Sequence, residues 1–354
     1  MNTVVNPEEI KLTEFSKGAG CGCKISPQVL REILDGSSAI ADGNLLVGNS
    51  SHDDAAVYDM GNGNALIATT DFFMPIVDDA EAFGKIAAAN AISDVYAMGG
   101  TPLMAIAVLG WPVDKIPVSQ ARRVMEGARQ ICAEARITLA GGHSIDSVEP
   151  FFGLSVNGTV KINHLKKNDT AREGDLIFLT KPIGVGILST AQKRKQITEE
   201  DAARLTGYLS KLNSLGELLG SIEEVTAMTD VTGFGLGGHL LEMAEGSGLS
   251  AEIDFSHVRL CENVRDYLKK NIFPDAVYRN WNSYGKKVVL DKSLNAIEAF
   301  ALAGDPQTNG GLMIAVNPKG KQKVIDLFSK YGYGDFTDPI GIFKSKEEQP
   351  VYFK

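Results

Sequence analysis

Asn163-His164-Leu165-Lys166-Lys167-Asn168-Asp169-Thr170-Ala171-Arg172-Glu173-Gly174-Asp175 is the stretch that divides this chain. It carries charge and turn formers where the flanking sequence carries apolar runs, which is how a boundary between two folded units reads. Working outward, residues 45–47, 55–58, 65–70, 103–109, 137–140 and 152–160 read as strands before it, and 82–98 and 120–135 as helices. After it come a strand over 176–180, helical segments over 186–193 and 199–219, and a strand over 225–229. A helix over 239–245, a strand over 251–255, a polar irregular stretch to about residue 295 and a turn and strand over 305–316 complete the pattern. The fold class is therefore α/β in two units. The expected division is an N-terminal segment over 1–50, one domain over 51–165 and another over 172–354.

Length and composition agree, since 354 residues suffice for two domains that each bury a core. A net charge of −9 leaves no basic surplus for releasing counterions from phosphates, so general nucleic-acid binding is not expected. No apolar run is long enough to span a bilayer and the polar start lacks the pattern of a secretion signal, so no membrane partner and a cytoplasmic location are expected. Four cysteines do not make a disulfide framework, and reduced thiols are expected.

The segment least like a core is Gly18-Ala19-Gly20-Cys21-Gly22-Cys23-Lys24. Interleaved glycines make it a surface loop, and a lysine beside two thiols favours the reactive thiolate, so Cys21 and Lys24 are candidate catalytic groups. Residues 26–36 should form a short helix after it, with Ser26 as cap and Pro27 at its first position.

Four aspartates stand within or at the ends of apolar elements: Asp54 in Ser51-His52-Asp53-Asp54-Ala55, Asp71 in Thr69-Thr70-Asp71-Phe72, Asp94 in Asn90-Ala91-Ile92-Ser93-Asp94 and Asp230 in Thr229-Asp230-Val231-Thr232. For any single one a helix cap or turn is the more ordinary role. Four together, with glycine turns nearby, form the oxygen-rich set that Mg²⁺ and a polyphosphate require. Gly233-Phe234-Gly235-Leu236-Gly237-Gly238 matches a dinucleotide template, but Asp230 just before it would repel a bare pyrophosphate, so either a metal-bridged phosphate or tight helix packing explains it. Gly141-Gly142-His143-Ser144 follows a strand and offers N–H groups and a hydroxyl to a phosphate, or is a plain turn. The five histidines show no metal-ligand spacing.

Taken together these blocks resemble selenophosphate synthetase. The similarity is carried by Ala19-Gly20-Cys21-Gly22-Cys23-Lys24, the Asp53-Asp54-Ala55-Ala56-Val57 and Thr69-Thr70-Asp71-Phe72-Phe73 blocks, Asn90 to Asp94, Ala140-Gly141-Gly142-His143-Ser144, Met228 to Gly235, and Asp305-Pro306-Gln307-Thr308. Asn309 stands where that family usually has serine, a change expected to be tolerated. The resemblance implies an aminoimidazole ribonucleotide synthetase-like fold, with N-terminal domains pairing as a homodimer through a β-barrel and a C-terminal α/β sandwich. It implies synthesis of selenophosphate, AMP and phosphate from ATP, selenide and water. Cys21 is then the catalytic thiol and Lys24 acts on the transferring phosphoryl group. Asp54, Asp94 and Asp230 hold Mg²⁺, while Asp71 contacts ATP with Ser51, His52, Asp53 and Asp94. Gly142, His143 and Ser144 contact ATP from the partner subunit, and a selenium-delivery protein is a further partner. The glycines would let the loop close over the site and keep water and oxygen from selenide. Two rival readings explain less. Another ATP-dependent enzyme of this fold, of the aminoimidazole ribonucleotide synthetase or thiamine-phosphate kinase type, leaves the Cys-x-Cys-Lys loop unexplained. A non-enzymatic thiol protein binding selenium or a soft metal leaves the aspartates idle.

Overall fold

The computed structural model describes residues 10–23, 29, 33, 43–48 and 53–354. Lys24, Ser51 and His52, the side chains of Cys21 and Cys23, and most of the helix expected over 26–36 lie outside the described residues.

A six-stranded sheet forms from β1 (Leu45–Val47), β2 (Ala56–Asp59), β3 (Asn64–Phe73), β4 (Thr101–Trp111), β5 (Thr138–Asp146) and β6 (Phe151–Lys161), in the order β1-β2-β3-β6-β4-β5. Its pairs are antiparallel except β4 with β5. One face is covered by α1 (Ala80–Ala97) and α2 (Val118–Glu134). The Asp79 carboxylate caps α1 by accepting from the Ala82 N–H at 2.8 Å, and Gly99, at φ +73°, ends it. Helix α1 is buried around almost its whole circumference, which suits its alanine-rich sequence. It meets α2 at two glycines: a Cβ on Gly84 would lie 1.9 Å from the Val124 carbonyl oxygen, and one on Gly127 would lie 2.0 Å from that of Glu81. Backbone meets backbone there, so any side chain would force the helices apart.

The second sheet has seven strands: β7 (Leu176–Leu179), β8 (Val225–Asp230), β9 (Leu249–Ile253), β10 (Val288–Leu290), β11 (Leu312–Val316), β12 (Gly341–Ser345) and β13 (Val351–Phe353), in the order β10-β13-β9-β12-β7-β11-β8. The β10–β13 and β13–β9 pairs are parallel and the others antiparallel. Its helices are α3 (Val185–Lys193), α4 (Glu199–Ser210), α5 (Leu215–Gly220), α6 (Gly235–Gly246), α7 (Val264–Lys269), α8 (Ala276–Tyr284), α9 (Ala296–Ala303) and α10 (Lys321–Lys330). Each half thus contributes a mixed sheet with helices packed on it, and one contiguous apolar core runs through both.

Four local expectations change. The helix over 199–219 is two helices, because at the break the Lys211 carbonyl turns to accept from Lys181 Nζ and Asn309 Nδ2. The stretch to residue 295 holds α7, α8 and β10, whose short runs and aromatic side chains give little periodic signal. The strand at 312–316 is not last, being followed by α10, β12 and β13. Gly141 to Ser144 form neither a turn nor a post-strand loop: they lie inside β5, which continues past a register shift with Gly142 opposite Ala107 and Ser144 opposite Leu109. Among the described residues no helix is long and apolar enough to cross a membrane.

Candidate active site

The site is built where α1 lies between the two sheets. Asp94, in the last turn of α1, accepts from the Thr69 hydroxyl of β3 at 2.5 Å. One turn earlier, Asn90 is fully buried and donates its amide to Asp71 on β3 at 2.5 Å. From the other half, Asp230 ends β8 and accepts from the Ser93 hydroxyl of α1 at 2.5 Å. Ser93 is itself held by the Asn213 amide at 2.8 Å, which also donates to the Gly310 carbonyl. Asp54, just before β2, accepts on Oδ1 from the Thr229 hydroxyl at 2.9 Å.

These carboxylates feel one another. Burial first, and then the like charges of Asp230, Asp53 and Asp94, push the Asp54 carboxyl well above its ordinary range. Among the described residues its Oδ2 is buried without a hydrogen-bond partner. A buried, unpartnered oxygen among like charges is costly unless a cation or proton meets it, so the donor set fits a hard divalent metal. Among the described residues no three carboxylate, imidazole or thiol side chains already form a closed ligand set. Asp53 turns away to the linker between the two halves, accepting from the Asn168 N–H at 3.3 Å. Burial, with the neighbouring Asp169 charge adding to it, raises its carboxyl to about 7.

A second row of polar groups backs the carboxylates, and single-sequence reasoning misses it. The Asn309 N–H donates to Asn90 Oδ1 at 2.7 Å, and its amide bonds the carbonyls of Leu209 (2.6 Å) and Lys211 (2.9 Å). Its φ of +48° suits asparagine better than most residues, and a serine could not reach both carbonyls. Lys181, buried, donates to the carbonyls of Lys211 (2.7 Å) and Asn309 (2.8 Å), and burial lowers its ammonium to about 7 despite the attraction of Asp230. The glycine run opens α6, and His239 braces it by accepting from the Thr232 N–H at 3.0 Å and stacking on Phe234. No metal-ligand spacing announces that role.

The Cys-bearing segment is a single 3₁₀ turn, Gly20–Cys23. Leu12, fully buried at the start of a 3₁₀ turn over Leu12–Phe15, anchors the approach, and the Gly20 N–H donates to the Met74 carbonyl at 3.1 Å. Gly20 has φ +52°, and a Cβ there would lie 2.5 Å from Thr308 Oγ1 and 2.6 Å from Ile76 Cδ1. A continuous path follows: Gly20 packs on Thr308, the adjoining Asn309 bonds Asn90, and Asn90 bonds Asp71. Gly142, His143 and Ser144 are not on it; they are exposed on edge strand β5. The other two cysteines, Cys132 and Cys261, are buried, and burial raises both thiols, Cys132 to about 11.

Comparison with known proteins shows the family. The model of the AIR synthase related protein N-terminal domain matches residues 52–160, and that of the C-terminal domain matches residues 172–351. A selenide, water dikinase of Shewanella baltica (strain OS155 / ATCC BAA-1091) is 53% identical over 330 residues, covering 93% of this chain and 92% of that one. The chain belongs to the selenide, water dikinase family. This selenide, water dikinase family member shares its fold with proteins of different names. Thiamine monophosphate kinase of Aquifex aeolicus aligns with a TM-score of 0.66 at 20% identity, covering 92% of this chain and 95% of that one. The hydrogenase maturation protein HypE in complex with ATP aligns with a TM-score of 0.62 at 17% identity, covering 88% and 86%. At those identities the likeness is one of fold.

Proposed function

We propose that this protein is a selenophosphate synthetase, an ATP-dependent phosphotransferase that converts ATP, selenide and water into selenophosphate, AMP and phosphate. Family membership supports it, and the observation that carries it is the path from the Cys-bearing turn through Thr308, Asn309 and Asn90 to Asp71. That path ties the thiol loop to a carboxylate group suited to a nucleotide and its metal.

In this reading Asp54, Asp94 and Asp230 hold Mg²⁺, for which the unpartnered Asp54 oxygen is the strongest sign. A bound Mg²⁺ supplies charge neutralisation for the phosphates. Thr229, Thr69 and Ser93 aim the three carboxylates, each through one hydroxyl. Asp71, fixed by Asn90, orients ATP with Ser51 and His52, while Asp53 stays on the linker at Asn168. Cys21 and Lys24 serve selenium and the transferring phosphoryl group. One phosphorus–oxygen bond of ATP gives way to a phosphorus–selenium bond and a second is hydrolysed by water, leaving AMP. Selenide is already a strong nucleophile, so the residues chiefly position and shield it.

The domain division at 165–172 and a homodimer belong to the same proposal. Strand β5 is an edge with every residue at least partly exposed, its Ile145 and the neighbouring Leu103 and Ile106 of β4 presenting apolar side chains. An edge of this kind is normally covered. A second copy pairing there would build a barrel across the two chains and bring Gly142, His143 and Ser144 to the partner's nucleotide. Anaerobic incubation with ATP, Mg²⁺ and selenide, followed by ³¹P NMR, is the test. Selenide-dependent AMP and a phosphorus–selenium resonance are expected; ATP turnover indifferent to selenide, or none, would overturn the reading.

A further inference from the structure

Two cations of the second half grip the main chain of the Cys-bearing segment. Lys193, the last residue of α3, directs Nζ at three successive carbonyl oxygens, those of Ser16 (3.0 Å), Lys17 (2.9 Å) and Gly18 (3.0 Å). An ammonium has three N–H donors, and here each has an acceptor in one short run of backbone. Beyond the turn, Arg279 of α8 donates through Nη2 to the Gly22 carbonyl at 2.7 Å. The two grips flank Gly20, whose own N–H is fixed on Met74. Both cations line a cavity of about 840 Å³ that the segment borders through Lys17, Gly18, Ala19 and Gly22.

Carbonyl oxygens are common to every residue, so these contacts recognise the path of the chain and not its side chains. Glycine-rich backbone has little of its own to hold a path, and charge-assisted bonds from rigid helices supply what it lacks. We infer that Lys193 and Arg279 are positioning residues that set where the Cys21-bearing turn stands relative to the carboxylates. They act through the backbone on either side of Gly20. The inference rests on the proposed function only in taking Cys21 as the reacting thiol; the grip itself is independent of it.

The experiment compares the full-length wild type with Lys193→Met, Lys193→Arg and Arg279→Met. Hydrogen exchange is read by mass spectrometry on peptides from residues 10–23 and on α1 as an internal control, alongside kcat and the KM for ATP. Losing charge-assisted bonds of this kind should speed exchange in the segment by about tenfold, with α1 unchanged. Under the proposed activity, kcat falls by about tenfold while the KM for ATP stays within about twofold, because a misplaced turn affects reaction more than nucleotide binding. Lys193→Arg, still cationic and multidentate, restores both. Unchanged exchange in both methionine variants overturns the grip, whatever their activity. Faster exchange with unaltered kcat overturns the positioning role. If Lys193→Met unfolds, as exchange in α1 would reveal, Arg279→Met decides. Should the wild type itself show no selenide-dependent turnover, the functional reading falls while the exchange comparison still judges the grip.

Discussion

Ser93 and Asp230 are 137 residues apart in sequence and 2.5 Å apart in space, the hydroxyl of α1 donating to the carboxylate that ends β8. Asp230 is almost wholly buried, so this hydroxyl is part of what makes its charge tolerable. Ser93→Ala should raise the Mg²⁺ concentration needed for half-maximal activity severalfold and cost about 1–3 kcal/mol of stability. Metal titration of the rate and thermal melting measure the two effects.

Asp54→Asn should separate stability from activity. Removing one buried like charge relieves repulsion, so the melting temperature of the metal-free protein should rise by about 1–2 °C, as ~1 kcal/mol does in a chain of this size. The further rise that Mg²⁺ gives the wild type should vanish, and kcat should drop by about a hundredfold or more. A melting series with and without Mg²⁺ checks all three.

Gly20 and Gly22 should respond differently to alanine. At Gly20 a methyl group meets Thr308 and Ile76 at a positive φ, whereas at Gly22 its nearest neighbour is Pro306 at 3.6 Å. Gly20→Ala should therefore lower kcat by about a hundredfold, since a displacement near 1 Å can cost that much, and Gly22→Ala should stay near wild type. Parallel steady-state kinetics decide it.

The metal-free protein should lose stability as pH rises through the neutral range. Burial lifts the Asp305 carboxyl to about 8. Its Oδ2 accepts from the Gly186 N–H and the Gln307 amide, while Oδ1 is buried without a partner among the described residues. The folded state thus holds a proton that the unfolded chain, with a pKa of about 3.9, releases. The stability contributed is complete below about pH 4 and is lost as pH climbs to about 8, at up to ~1.4 kcal/mol per pH unit. Asparagine mimics the protonated form, so Asp305→Asn should flatten the slope by about one proton. Chemical denaturation between pH 6 and 8.5 tests this.

Ile106→Glu with Ile145→Glu should yield monomers by light scattering. Both side chains are exposed, Ile106 on β4 and Ile145 on edge strand β5. Charge there opposes pairing with a second copy, and activity should fall with the dimer.

Much of this site is legible in the sequence because its chemistry sits in contiguous blocks. Asp94 and Asn90 are one helical turn apart, and a periodic helix suffices to place them on one face. The residues that aim those groups are different. Thr229 reaches Asp54 across 175 residues and Lys193 reaches Ser16 across 177, and ordinary threonines and lysines leave no local signal of such meetings. Gly141 to Ser144 mislead for a related reason: glycines suggest a turn, while the strand is continued by pairing with a neighbour 35 residues away, as Gly142 pairs with Ala107. The break after α4 is equally invisible, since what ends that helix is the demand of two distant side chains for the Lys211 carbonyl.

The site draws Asp54, Asp71 and Asp94 from the first half of the chain and Asp230 from the second, with Asn309 arriving later still. During synthesis the ribosome therefore releases the thiol turn and most of the carboxylates long before their counterparts exist. A product truncated or stalled before β8 carries Asp54, Asp71 and Asp94 but lacks the β8 aspartate and the α8 arginine that join them in the finished fold. Assembly of the candidate site is in this way tied to completion of the polypeptide.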